Sequence, residues 1–171
     1  MPPATVVHID QSPWSAEKRA RQMTGDRADY LMGGRVRIIN VWRPFDYQVE
    51  SYPLVLCDGS TVDKQKFIAS DQIMRTYIGE TIFPLYDSEA TWYFLAEQRP
   101  EELVLLKIYD SSEDVRVKWC PHSSVHLDLP SSARPRRSVE VRAFVFTHPR
   151  VTRHSGEDET LYKPTCTTLS G

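Results

Sequence analysis

The chain has 171 residues, 40% of them apolar, and carries 21 basic against 23 acidic side chains for a formal charge of −2. One domain with a single buried core suits that length, and the charge balance argues against a general nucleic-acid binder, which presents a basic face. The apolar runs fall short of the roughly 18 residues that a membrane-crossing helix needs, and no signal peptide is legible. Three scattered cysteines, Cys57, Cys120 and Cys166, fit neither a disulfide framework nor a zinc knuckle, so a soluble, cytoplasmic domain is expected. In chain order, residues 4–8 read as a strand. "SPWSAEKRARQM" then starts a helix with Ser12 as N-cap, Pro13 at the first helical position and Glu17 early in the helix. "GGRVRIINVW" (33–42) alternates as a strand, and "YPLVLCDGS" (52–60) reads as a strand ending in an Asp-Gly turn. "TVDKQKFIA" reads as a short helix capped by Thr61 or Asp63, while "TWYFLAEQ", "ELVLLKIYD" and "SVEVRAFVF" are further strands. From His148 the chain turns polar, which predicts a domain over 1–147 and a polar C-terminal extension over 148–171. Strands joined by turns, with a few helices gathered early, predict a mainly β fold: a jelly roll or barrel with flanking helices.

Chemistry enters at "TVVHIDQSP". Side chains two apart on a strand share a face, so His8 and Asp10 both reach one ion. An imidazole and a carboxylate are two thirds of a 2-His-1-carboxylate triad, which holds Fe(II) on one side and leaves positions open opposite. By itself His-x-Asp is common, and its bland reading is a strand end at the surface. The third ligand must come from a distant histidine, and "CPHSSVHLD" offers His122 and His126, which share parity.

Arg136 and Ser138 place a guanidinium and a hydroxyl on one face of the last strand, a pair that can grip a single carboxylate. Glu140 and Arg142 continue that polar face, while Val139, Val141, Ala143 and Val145 take the other. Such a face is either solvated or lines a wet cavity. Asn40 and Trp42 share a face on the "INVWRPF" strand, where each either touches a bound small molecule or serves the core. Cys57 and Cys120 read as small core residues.

"HIDQSP", "GRVRIINVWRPF", "ELVLLKIYDSS", "PHSSVHLD" and "RRSVEVRAFVF" together resemble the fungal and bacterial hydroxylase/desaturase family of secondary metabolism, which includes gibberellin desaturase-like proteins and relatives of the cephamycin methoxylation protein. The resemblance runs in order from residue 7 to about residue 146. It implies a double-stranded β-helix (jelly-roll) core and Fe(II)/2-oxoglutarate-dependent hydroxylation or desaturation of a natural-product scaffold. In the family's register the metal ligands fall on His8, Asp10 and His122, with His126 as the alternative third ligand. Arg136 and Ser138 then hold the far carboxylate of 2-oxoglutarate, and Asn40 and Arg142 count with them as co-substrate residues. Arg137 and Ser123 depart from the usual pattern without removing a ligand. Members of the family carry a longer stretch ahead of the His-x-Asp, so the expected core lacks the family's N-terminal region. A homodimer, or a heterodimer with a longer relative, is expected to cover the edge thus left open. A non-catalytic subunit that stabilises a catalytic relative is the alternative function.

Overall fold

Helix α1, Pro13–Thr24, begins where its capping chemistry dictates: Ser12 is extended, and its Oγ accepts from the Ser15 N–H at 3.2 Å. Gly25, at φ 54°, ends it in a left-handed conformation that costs a residue without a Cβ little. A short α2, Ala28–Met32, follows and has no counterpart in the sequence reading. The computed structural model describes residues 2–127 and 132–147. The expected extension over 148–171, with His148, His154 and Cys166, lies outside them. Among the described residues no helix is long and apolar enough to cross a membrane.

Strand β1, Arg35–Pro44, turns Val36, Ile38, Asn40, Trp42 and Pro44 inward. Counting strands in chain order, it is the centre of an antiparallel sheet between β6 (Val104–Asp110) and β8 (Ser138–Thr147). A second sheet has β2 (Leu54–Cys57) between β5 (Trp92–Phe94) and β7 (His122–Ser124). A hairpin of β3 (Phe67–Met74) and β4 (Tyr77–Pro84) extends it through the N-terminal segment. His8 bridges to His122 of β7, and Ile9 bridges to Ile82 of β4. The segment therefore changes partner between consecutive residues, which is why the strand expected over 4–8 forms isolated bridges rather than a ladder.

The helix expected in "TVDKQKFIA" is one 3-10 turn, Lys64–Lys66, capped by the Asp63 carboxylate on Gln65 N–H at 2.9 Å. From Phe67 onward pairing with β4 takes the chain into a strand. The two sheets pack face to face as the jelly roll. Val36 and Ile38 meet Leu106, Ile108 and the α1 residues Ala16 and Ala20, with Leu56 of the second sheet packed against them. Trp42, Val49 and Leu54 form a second apolar cluster. Between the two clusters, on the same inner face of β1, sits one fully buried polar side chain, Asn40.

Candidate metal centre

The His8–His122 bridge is the root of the site. Each residue donates its N–H to the other's carbonyl, at 3.0 and 2.9 Å, and the two rings stand 4.4 Å apart between centroids. Each imidazole is then oriented by its own backbone. His8 Nδ1 lies 2.8 Å from the Val6 carbonyl, and His122 Nδ1 lies 3.0 Å from the Cys120 carbonyl. A carbonyl only accepts, so both Nδ1 atoms carry a proton and both Nε2 atoms are turned toward Asp10, each able to offer a lone pair once it is unprotonated. Those Nε2 atoms are 3.4 and 3.8 Å from the two Asp10 oxygens, and the three prospective donor atoms lie within 4.8 Å of one another. Two fixed imidazoles and one ionised carboxylate are the donor set that a divalent transition metal takes.

Electrostatics follow from packing. Burial pulls the Asp10 carboxyl upward, but the hydrogen bond to His8 and the Arg142 charge win and bring it down to about 2. The same bond to Asp10 raises His8 above its ordinary value, whereas burial lowers His122. Desolvation, with Asp10 close by, pushes Glu140 above the usual carboxylate range. Burial pushes the Cys120 thiol up to about 12, in keeping with a core role.

The inner face of β8 supplies the rest. Pairing sets Ser138 opposite Pro44, Glu140 opposite Trp42, and Arg142 opposite Asn40. A cavity of about 630 Å³ opens over His8, Asp10 and His122 and is walled by Trp42, Arg136, Ser138 and Glu140. Arg136 Nη1 donates to the Tyr52 carbonyl at 2.6 Å and to Ser124 Oγ at 2.7 Å. Its guanidinium lies over the Trp42 ring at 5.3 Å. Tyr52 adopts φ 49°, a conformation uncommon outside glycine, with its carbonyl bonded to Arg136. Arg142 and Asn40, grouped by sequence with the co-substrate residues, are both bonded to the aspartate. Arg142 Nη2 and Asn40 Nδ2 each reach Asp10 Oδ2 at 2.8 Å. His126, the alternative ligand, packs edge-on against Tyr52 at 5.3 Å, and the described donor cluster contains His122 in its place. Ser124 and Tyr52 were not legible as site residues, although Ser124 shares the parity of His122 and offered that much of a signal.

Fold and site define a jelly-roll protein built around a candidate metal centre. A family model described as "YDMC: Oxidoreductase/YMDC permease-like domain" matches residues 1–146, and the chain belongs to that family. Among curated proteins it is 39% identical over 140 residues to aspirochlorine biosynthesis protein N of Aspergillus oryzae, covering 80% of this chain and 58% of the relative. It is 33% identical over 152 residues to the Fe(II)/2-oxoglutarate-dependent dioxygenase nvfI of Aspergillus novofumigatus, covering 84% and 52%. A hydroxylase/desaturase, efuI of Hormonema carpetanum, is 32% identical with the same coverage of 84% and 52%. The solved structure of the iron and alpha-ketoglutarate-dependent endoperoxidase NvfI superposes with a TM-score of 0.80 at 29% identity, over 86% of this chain and 55% of that one. These names bear out the resemblance to hydroxylase/desaturases. The chain spans about half the length of the curated relatives it matches.

Proposed function

We propose that this chain forms the core of an Fe(II)/2-oxoglutarate-dependent oxygenase that hydroxylates or desaturates a small natural-product scaffold. The observation that carries the reading is the convergence of two oriented imidazoles, one ionised carboxylate and the Arg136–Ser138 pair on a single cavity. Relatives named for aspirochlorine biosynthesis and for Fe(II)/2-oxoglutarate-dependent dioxygenation support it. His8 Nε2, His122 Nε2 and an Asp10 oxygen would hold the metal, and the His126 ring against Tyr52 stands apart from them. Arg136 would take the far carboxylate of 2-oxoglutarate as a charge-assisted pair, with Ser138 adding one hydrogen bond. Bound there, iron, dioxygen and 2-oxoglutarate supply the oxidising power to remove hydrogen from an aliphatic carbon, with succinate and carbon dioxide as by-products.

This chain's own contribution is positioning and water exclusion. The His8–His122 bridge fixes the angle between the two imidazoles, and the Val6 and Cys120 carbonyls fix their tautomers. Trp42 and Leu54 form an apolar wall of the cavity. Pairing with a second copy or a longer relative is supported by the outer face of the β6–β1–β8 sheet, where Leu105 is 69% and Val141 61% exposed. The free thiols of Cys57 and Cys120 suit a reducing cytoplasm. The deciding experiment is anaerobic titration of Fe(II) and then 2-oxoglutarate. A weak visible charge-transfer band is expected only when both are present. Full Fe(II) binding without that band would refute the co-substrate assignment.

A further inference from the structure

Glu140 is a second carboxylate on the wall of the same cavity as His8, Asp10 and His122. A divalent cation attracts any carboxylate in reach, and a second one on the metal would take a position that a bidentate co-substrate needs. Asn40 stands between the two. It is completely buried on β1, and both its amide hydrogens and its oxygen are engaged. Nδ2 donates to Asp10 Oδ2 at 2.8 Å and to Glu140 Oε1 at 2.9 Å, while Oδ1 accepts from Arg142 Nε at 2.9 Å. The guanidinium fixes the amide's orientation, because a flipped amide would set its oxygen against two carboxylates and its NH₂ against a cation.

We propose that Asn40 is the positioning residue that keeps this centre at one carboxylate. It presents Asp10 to the metal and ties Glu140 back to the cavity wall. The inference rests on the metal-centre reading above. It assigns Asn40 and Arg142 to the aspartate rather than to the co-substrate, and gives Glu140 a place off the metal.

The test uses Co(II) in the full chain, read by its visible absorption and by the change on adding 2-oxoglutarate. Wild type is expected to bind Co(II) and respond to 2-oxoglutarate. Asn40→Ala is expected to show an altered Co(II) spectrum and to need about tenfold more 2-oxoglutarate or beyond. Adding Glu140→Gln to Asn40→Ala should restore both, since the intruding carboxylate is gone. Asn40→Ser, which keeps a polar atom at the buried position, carries the same comparison if Asn40→Ala does not fold. A wild-type response in the Asn40 variants would overturn the proposal. So would a double variant as impaired as the single one, the signature of a merely structural role. Failure of wild type to bind Co(II) would instead strike the metal-centre reading, and this inference with it.

Discussion

Arg136, just ahead of β8, and Arg142, within it, share a parity in the sequence but have different partners in the structure, and truncating each in turn separates them. Arg136 Nη1 is held by the Tyr52 carbonyl and Ser124 Oγ, and the residue lines the cavity, where in the proposed reading its guanidinium meets a carboxylate. Removing a charge-assisted, partly buried bond costs about 1.5–3 kcal/mol, or roughly 10- to 100-fold in affinity. Arg136→Ala should therefore weaken 2-oxoglutarate by that factor and leave metal affinity within about threefold, because its guanidinium makes no bond to a ligand residue. Arg142 bonds Asp10 and Asn40 instead. Arg142→Ala should weaken Fe(II) or Co(II) by roughly 10- to 100-fold, as for loss of a partner that orients a ligand. At saturating metal its 2-oxoglutarate affinity should stay near wild type. Calorimetric titrations of metal, and of 2-oxoglutarate at saturating metal, separate the two. If Arg142→Ala keeps its metal and loses 2-oxoglutarate tenfold, the carboxylate clamp belongs to Arg142 and the argument fails.

Asp110 is fully buried and takes Arg35 in a bidentate pair at 2.8 and 2.7 Å and Lys107 at 3.1 Å. Arg35→Ala should lower stability in urea unfolding, by less than the loss of a fully buried pair because Arg35 is partly exposed and Lys107 remains; an unchanged unfolding midpoint would contradict this. Desolvation raises the Asp110 carboxyl, but its bonds to Arg35 and Lys107 hold it far below the unfolded value of 3.8, so its contribution is present above that pH and lost below it. Asp110→Asn should flatten that acid limb of stability. In the apo chain, NMR titration should find His8 above and His122 below 6.5, since Asp10 raises one and burial lowers the other. Metal affinity should then fall as pH drops through the His8 value, and a pH-independent affinity between 8 and 6 would contradict the assignment. Sedimentation at micromolar concentration should find a dimer that Leu105→Lys with Val141→Lys dissociates, and a monomeric wild type would refute that interface.

Legibility in the sequence followed the reach of the signal. The α1 start was readable because Ser12, Pro13 and the first helical turn are local chemistry. The split of β8 into a polar and an apolar face was readable because strand parity is fixed by the backbone, and its polar side does line a cavity. The β3–β4 hairpin was not. Its turn at Arg75 and Thr76 has neither glycine nor asparagine, and β3 is almost wholly exposed, so no burial pattern marks it. Parity also left His122 and His126 equivalent. What separates them is the bridge to His8, a contact between chain segments more than a hundred residues apart. The partners of Arg142 were hidden for the same reason, since Asp10 and Asn40 lie on segments that only the folded sheets bring together.

The polar stripe across the interior has an electrostatic logic that its separate residues conceal. Buried charge is tolerated only when paired. Arg142 offsets the half-buried Asp10, and Arg136 and Glu140 face the same cavity. In the proposed reading a divalent cation and a dianionic co-substrate cancel each other, and Arg136 offsets Glu140, so the filled cavity carries no net charge. Burial, and after it the nearby Asp10 carboxylate, keeps Glu140 above its usual range. Asn40 is neutral, and it donates to both carboxylates at once while accepting from the guanidinium. A leucine there would merge the two apolar clusters and leave Asp10 Oδ2 and Glu140 Oε1 each short of a hydrogen bond. The core gives up continuous apolar packing at this one position so that the carboxylates stay apart.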